Sequence, residues 1–245
     1  MTEQHPSRIL NIKSGSSSVK LALCDVGTSE ELALSGEIDR IGLTGSHLAM
    51  KDPDGVVLTR IELDLPDHMA AWKLPLNWFH DHIRLKGLDA VGHRLIHGGL
   101  KYVYPQVITP ELLAALKRLI PLAPGHLPQA LRTVETIRQW YPDLEQVACF
   151  DTAFHRQMPE VAQMYALPGN LQKKGVIRYG FHGLFCEYLT QELRRQAGRE
   201  AEGRNIIAHL GNAASVTAIR NGKSVDTTMG FTPAGGLVMS TRSTY

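Results

Sequence analysis

Apolar and polar residues alternate along the N-terminal part of the chain. The segment VKLALCDV at Val19–Val26 has an apolar side chain at nearly every second position, which is typical of a half-buried β-strand. A short apolar run, RILNI, precedes it at 8–12, and similar segments follow at 32–62. The sequence Asp-Pro-Asp-Gly at 52–55 is a turn signal between two of them. The pattern predicts at least three antiparallel strands.

Helical and strand patterns alternate further along. A helix is predicted at 67–83 and a strand at 89–96. Thr109 followed by Pro110 predicts an N-cap and the first helical position of the next helix. A helix at 129–140 and a strand at 146–150 follow. This order predicts an α/β fold with some parallel pairing.

The pattern starts again after residue 151. A helix is predicted at 183–196 and a strand at 205–210. Two more strands, at 215–220 and 223–227, flank the dipeptide Asn-Gly, a strong signal for a hairpin turn. A strand, a turn with glycine and further strands also open the chain, so the second part hints at a duplicated fold.

Composition and charge exclude several classes of protein. The 245 residues are 43% hydrophobic and 20% charged, which is ordinary for a globular protein, and the formal net charge of +2 gives no reason to expect a nucleic acid or membrane partner. Cys24, Cys149 and Cys186 lie far apart, without the spacing of metal ligands or a disulfide framework. We therefore expect a cytoplasmic protein.

The first candidate site is the segment SGSSSVK at 14–20. Gly15 permits a tight turn, successive backbone N–H groups can bind an anion, and Lys20 adds a charge for a phosphate. The alternative is a polar hairpin loop, which we favour for these residues alone. The spacing does not match the Walker A phosphate loop.

Arg94 and Asp151 each lie at the end of an apolar strand. The planar guanidinium of Arg94, in GHRLIHGG, can hold a carboxylate or phosphate. The alternative is a structural ion pair, and the two glycines that follow favour the functional role. Asp151, in FDTAFH, is placed where α/β folds carry catalytic groups, or it could cap a helix.

Two histidines and one arginine complete the candidates. His182 in YGFHG and His209 in HLGN lie beside glycines, where an imidazole could stabilise a charged transition state or simply pack in a core. Arg242 follows an apolar, glycine-rich stretch, and its alternatives are a transition-state clamp and a surface charge.

Together, the segments GSSSVK, GHRLIHGG, FDTAFHRQMP, RYGFHG, HLGN and GKSVDTTMGFTP resemble the acetate kinase family of the actin/sugar kinase/Hsp70 superfamily, in the family's order and spacing. The resemblance implies an α/β protein with an RNase H-like N-terminal lobe at 1–152 and a partial second lobe of the same fold at 153–245. It also implies Mg²⁺-dependent phosphoryl transfer between ATP and acetate, or from acetyl phosphate to ADP, and a homodimer in the family.

The resemblance also implies roles by motif match. Arg94 and Arg242 would bind the carboxylate and the transferring phosphoryl group. Asp151 would be the catalytic carboxylate, and His182 would stabilise the negative charge of the phosphoryl group during transfer. The phosphate loop would contain Ser16, Ser18 and Lys20. The nucleotide phosphate segment would be His209, Leu210, Gly211, Asn212 and Ala213. The acyl pocket would be walled at the positions Ile96, Gly125, Phe181 and Pro233.

Six positions in four segments depart from the family's pattern. Lys13 stands where the family has an asparagine in its metal and phosphate site, and a cation there would meet phosphate oxygens but repel Mg²⁺. Gly125 removes a side chain from the acyl pocket, so we expect propionate or larger acids to be tolerated. Ala213 replaces a glycine and could crowd a phosphate. After GFHG, Leu184-Phe185-Cys186 replaces small hydroxylated residues and a histidine.

The family continues beyond the position of Tyr245 with most of its second lobe, including an adenosine-binding glycine motif and a glutamate metal ligand. We therefore expect the residues present to hold acetate and phosphate but not adenosine, and two hypotheses stay open. One is an acetate kinase that uses Arg94, Asp151, His182 and Arg242. The other is a protein that binds acyl phosphate or carboxylate without turnover. A sugar kinase is disfavoured, because GHRLIHGG and FDTAFH point to acyl kinases.

Overall fold

The computed structural model describes residues 6–15, 17–66, 71, 87–211 and 213–239. The chain divides into two compact units. The first comprises Met1–Leu95, Gln106–Arg118 and Pro124–Cys149, and the second comprises Ile96–Pro105, Leu119–Ala123 and Phe150–Tyr245. Most of the helix predicted at 67–83 lies outside the described residues, as do Ser16, Asn212 and Arg242.

One mixed sheet organises the first unit. Its strands are β1 (Ser7–Ser14), β2 (Val19–Val26), β3 (Glu30–Asp39), β4 (Ser46–Lys51), β5 (Val57–Leu63), β6 (Ala90–Leu95), β7 (Gln106–Val107) and β8 (Glu145–Phe150). Their order in the sheet is β5-β4-β3-β2-β1-β6-β8-β7. Strands β1 to β5 pair antiparallel, as predicted, whereas β1 pairs with β6 in parallel. The C-terminal ends of β1 and β6 therefore lie at the same edge.

Two helices of the first unit begin with a proline in their first turn. In the helix Pro110–Lys117 the side chain of Thr109 accepts a hydrogen bond from the backbone N–H of Leu112 at 3.2 Å, which confirms the predicted N-cap. The helix Leu127–Trp140 begins before the predicted start at 129, because Pro128 suits the first turn.

The alternation in the strands decides which face of the sheet is buried. In β2 the side chains of Val19, Leu21 and Leu23 are buried, while Lys20 between them is exposed. The apolar side chains of β1 to β4 and β6 form one core together with Ile137 of the helix Leu127–Trp140. The polar positions of the same strands consequently lie together on the opposite face.

The second unit contains an antiparallel sheet in the order β11-β10-β9, from β9 (Arg204–Leu210), β10 (Ala214–Arg220) and β11 (Lys223–Thr227). Asn221 and Gly222 join β10 to β11 with φ angles of 53° and 73°, the left-handed conformations that the predicted hairpin turn requires. Its α-helices are Glu160–Gln163, Gly169–Lys173 and Gly183–Ala197. Short 3-10 helices span Ile120–Leu122, Phe154–Gln157 and Gly198–Glu202.

The two sheets and their helices confirm the predicted α/β class. Within the described ranges, no helix is both long enough and apolar enough to cross a membrane.

Candidate functional site

Strand register aligns three basic residues in the first unit. Lys13 of β1 lies opposite Lys20 of β2 on one side and opposite Arg94 of β6 on the other. Residues that are directly opposite in a pleated sheet point to the same face. The neighbours Ile12 and Ser14 are buried on the other face, so this cationic row, defined as Lys20, Lys13 and Arg94, lies on the open face.

The candidate phosphate loop is a tight turn between β1 and β2. The N–H of Gly15 donates to the carbonyl oxygen of Ser18 at 2.7 Å, and Ser14 Oγ lies 3.0 Å from Thr133 Oγ1 on the helix Leu127–Trp140. The hairpin alternative therefore describes the backbone correctly. It does not exclude anion binding, because Ser17 and Ser18 are only partly buried and Lys20 is exposed at the start of β2.

Arg94 has a histidine neighbour that the sequence analysis did not include. Burial, and secondarily the positive charge of Arg94, lower the pKa of His126 below its ordinary value. His126 follows Gly125 in the sequence LAPGHLP, so its position beside a predicted pocket residue was the available signal. A Cβ atom built on Gly125 would meet nothing within 4 Å, which leaves open space at that position.

His93, the residue before Arg94, points to the buried face. Its Nε2 lies 2.7 Å from Gln146 Oε1 on β8. Burial lowers the pKa of His93 from 6.5 to about 4, although the hydrogen bond with Gln146 opposes this shift. His93 is therefore a neutral core histidine at physiological pH.

Asp151 anchors the start of a helix in the second unit. The residue is only 3% exposed, and its Oδ2 accepts the backbone N–H of His182 at 3.2 Å. Its carbonyl oxygen accepts the N–H of Gly183 at 2.8 Å. The capping alternative was thus partly right, but the helix is Gly183–Ala197, far along the chain, and not the segment after Asp151.

His182 sits over a cross-strand pair of the second sheet. Its backbone is left-handed, with φ at 61°, and its Nδ1 lies 2.8 Å from Oγ of Ser215. Ser215 of β10 lies opposite His209 of β9, and the rings of His182 and His209 stack with centroids 3.9 Å apart. Ser215 was not predicted from the sequence, because an isolated serine in a strand carries no signal of its own.

The residues after His182 that depart from the family's pattern are packed in the structure. Phe185 meets the ring of His209 edge-on, with centroids 4.7 Å apart. Cys186 is buried against Ile207 and Ile219 of the second sheet. The apolar replacements therefore belong to the packing between the helix Gly183–Ala197 and this sheet.

The predicted acyl-pocket residues differ in exposure. Ile96 and Phe181 are buried in the second unit, Pro233 is half-buried there, and Gly125 is exposed in the first unit. His97, close to Ile96 in sequence, is fully buried, with its ring centroid 4.3 Å from that of Tyr179 and 5.9 Å from that of Phe181. Burial first, and the charge of Arg156 second, lower the pKa of His97 to about 4.

The nucleotide phosphate segment predicted at 209–213 connects β9 to β10. Leu210 is 77% exposed, and the N–H of Gly211 donates to the carbonyl oxygen of Ala213 at 3.0 Å. Asn212 lies outside the described residues, and so does the predicted clamp Arg242.

The first unit does not suit a magnesium ion at the position implied by the sequence motifs. Mg²⁺ prefers oxygen ligands, whereas Lys13 stands between two further cations there. The nearby Glu37 pairs with Lys20, with Oε1 and Nζ 3.0 Å apart. Over the described part of the chain, no group of three or more His, Cys, Asp or Glu residues could hold a metal ion.

A family model and two similar sequences both relate this chain to acetate kinases. The model of the acetokinase family matches residues 8–245. Acetate kinases of Phocaeicola vulgatus and Thermotoga maritima are each 43% identical over 243 residues, covering 96% of this chain but 61% and 60% of the relatives. The chain thus spans about three fifths of the length of these relatives.

Two solved structures of similar kinases cover nearly all of this chain. The acetate kinase of Porphyromonas gingivalis matches with a TM-score of 0.83 and 40% identity, over 97% of this chain and 61% of that one. A propionate kinase from Francisella tularensis matches with a TM-score of 0.88 and 35% identity, over the same shares of the two chains.

Proposed function

The chain belongs to the acetokinase family. From that premise we propose that it functions as a phosphotransferase of the acetate kinase type. In this reaction a carboxylate oxygen of acetate attacks the γ-phosphorus of ATP, the bond to the β-phosphate oxygen breaks, and ADP leaves. The reverse reaction forms ATP from acetyl phosphate. The buried Asp151, held by the N–H of His182, is the observation that supports this proposal most directly.

Phosphoryl transfer requires aligned reacting groups and nearby positive charge, whereas the protein itself forms few or no covalent bonds. Asp151 would align the acetate, because its carboxylate is fixed by the helix start at His182. The imidazole of His182, oriented by Ser215, would donate a hydrogen bond to the equatorial oxygens of the phosphoryl group during transfer. Arg94 would bind the substrate carboxylate or phosphate through its planar fork.

Magnesium ions in this class of reaction neutralise phosphate charge. Because the first unit does not suit the ion, we assign no step of the reaction to it. We propose ATP and ADP as the nucleotide substrates of the forward and reverse reactions. We also propose that the protein acts in the cytoplasm.

A larger acyl group is a second candidate, supported by one observation. The open space around Gly125 leaves room that a side chain would otherwise fill. A propionate kinase from Francisella tularensis is among the similar solved structures. We therefore include propionate among the proposed acceptors.

The proposed reaction can be followed by ³¹P NMR of acetyl phosphate and ADP with the complete chain. We expect Asp151→Asn to reduce turnover by on the order of 10²–10³, as loss of one transition-state stabiliser typically does. Asp143→Asn changes an exposed aspartate near the end of the preceding helix and should retain full activity. Loss of activity in Arg242→Ala would support the predicted clamp.

The alternative of binding without turnover predicts a different result. A folded wild-type chain that binds acetyl phosphate in calorimetry, yet transfers no phosphoryl group under any condition, would contradict the kinase proposal and support this alternative.

A further inference from the structure

His155 is a fully buried histidine that the proposed reaction does not use. It lies on the 3-10 helix Phe154–Gln157, four residues after Asp151. Both nitrogens of its ring have a hydrogen-bond partner in the second unit. Nδ1 lies 2.9 Å from Oγ of Ser224 on β11, and Nε2 lies 2.9 Å from the carbonyl oxygen of Phe181.

These partners define which nitrogen of His155 carries the proton. A carbonyl oxygen only accepts hydrogen bonds, so Nε2 is protonated and donates to Phe181. Burial lowers the pKa of His155, although the hydrogen bond to Phe181 and the negative charge of Asp151 oppose this shift. In the neutral ring Nδ1 has no proton and accepts one from the hydroxyl group of Ser224. Ser224 therefore stabilises the tautomer that donates to Phe181.

The peptide group between Phe181 and His182 is held at both of its polar atoms. His155 donates to its oxygen, and Oδ2 of Asp151 accepts its N–H at 3.2 Å. The C=O and N–H of a trans peptide point in opposite directions, so the two contacts hold this peptide from opposite sides. Both side chains come from the motif FDTAFH at 150–155, which thus fixes a peptide of the motif YGFHG at 179–183.

The backbone conformation of His182 depends on this peptide. Its φ of 61° is left-handed, which is unfavourable for a residue with a side chain and persists where the surroundings impose it. Gly180 lets the chain approach His155, because a Cβ atom there would lie 2.7 Å from Cγ and Cδ2 of the ring. Rotation of the held peptide would change φ of His182 and hence the direction in which its imidazole leaves the backbone.

We propose that His155, oriented by Ser224, is a positioning residue for His182. It holds the peptide between Phe181 and His182, whereas Ser215 limits rotation of the imidazole itself. His155 acts on the reaction only through His182. The positioning belongs to the second unit alone, and only its effect on phosphoryl transfer rests on the proposed function.

Substitution of His155 in the complete chain tests the hydrogen bond to Phe181. We expect His155→Leu to speed hydrogen exchange of the His182 amide at least about tenfold in ¹H–¹⁵N NMR spectra. The kcat should also fall at least about tenfold, while the KM for acetyl phosphate changes little, because a misplaced His182 weakens transition-state stabilisation. His155→Gln retains a side-chain N–H donor and should restore most of both properties. Equal effects of the two substitutions would contradict the proposal.

Substitution of Ser224 tests the tautomer without removing the ring. In Ser224→Ala we expect the ring ¹⁵N signals of His155 to show a mixture of the two neutral tautomers, and the signals of His182 to shift. Ser46→Ala is the matched control, since the hydroxyl group of Ser46 is also fully buried and donates to the carbonyl oxygens of Arg40 and Leu43 in the first unit. It should lower stability and leave the exchange of the His182 amide and kcat unchanged.

The outcomes for the positioning and for the reaction can be told apart. Wild-type exchange and ring signals of His182 in folded His155→Leu would overturn the positioning, even if turnover falls. Faster exchange in a chain without any turnover would sustain the positioning while the kinase proposal fails. If His155→Leu does not fold, Ser224→Ala decides, because a single tautomer of His155 with unchanged signals of His182 would overturn the proposal.

Discussion

The imidazole rings of His182 and His209 stack nearly parallel, with their centroids 3.9 Å apart and their planes inclined by 18°. His209 is carried by β9, whereas His182 precedes the helix Gly183–Ala197 in a left-handed conformation. Phe185 of that helix packs edge-on against His209. The orientation of the proposed charge-stabilising residue thus depends on a ring from a different element.

Removing the stacked ring should therefore loosen His182. We expect His209→Ala to broaden or shift the imidazole signals of His182 in ¹H–¹⁵N NMR spectra and to lower phosphoryl transfer by up to roughly 10²-fold, as small misplacements of catalytic groups do. His209→Phe keeps a flat ring against His182 and should preserve most of both properties. Equal effects of the two substitutions would show that stacking does not orient His182.

Acid should destabilise the protein through His93. Its pKa in the folded state is lowered to about 4 from an ordinary value of 6.5, because the buried ring resists protonation. As the pH falls, the unfolded state therefore binds a proton at His93 before the folded state does. The stability that neutral His93 contributes is fully present above pH 6.5 and is lost as the pH falls through the folded-state pKa of about 4, a loss on the order of 3 kcal/mol.

Urea unfolding at several pH values measures this effect. His93→Gln keeps a side chain that can hydrogen bond Gln146 but has no ionisable ring, so its free energy of unfolding should fall less between pH 6.5 and 4. His47→Gln on the open face of β4 is the control and should follow the wild-type curve. A curve for His93→Gln parallel to that of the wild type would contradict the assignment.

Gly183 should tolerate no larger side chain. A Cβ atom there would collide with the carbonyl oxygen of Asp151 and approach Cβ of Phe154 to 3.2 Å. Gly183→Ala should therefore lower the free energy of unfolding by about 1–3 kcal/mol, the usual cost of overpacking. It should also displace Asp151. Gly169→Ala, where a Cβ meets nothing within 4 Å, should leave thermal stability nearly unchanged.

Gly125 should control the length of the acyl group. Because a Cβ atom at this position has open space around it, Gly125→Leu should fold normally while filling part of the predicted pocket. We expect the ratio of kcat/KM for acetate over propionate to rise by at least about tenfold, the usual discrimination of one methylene group in an apolar pocket. Calorimetry with the two acids gives the same comparison if turnover is slow. Strong exclusion of propionate by the wild type would contradict the proposal.

The local structure was predictable where neighbouring residues determine it. The alternation in β2, the N-cap at Thr109 and the turn at Asn221 and Gly222 all depend on residues within a few positions of one another, and all three predictions were confirmed. The family motifs also placed Arg94, Asp151 and His182, but their proposed roles stay predictions. The start of the helix at Leu127 was missed, because Pro128 fits either a loop or a first helical turn.

The sequence by itself determined the α/β class, the order of the strands along the chain and the candidate residues, because periodicity and motifs are local or linear properties. Only the tertiary structure decided which of those residues meet. The alignment of Lys13 with Lys20 and Arg94 is set by strand register, and the stack of His182 on His209 is set by a helix packing on a sheet. Both depend on pairings between distant segments, which the hydrophobic burial of whole elements selects and no single motif specifies.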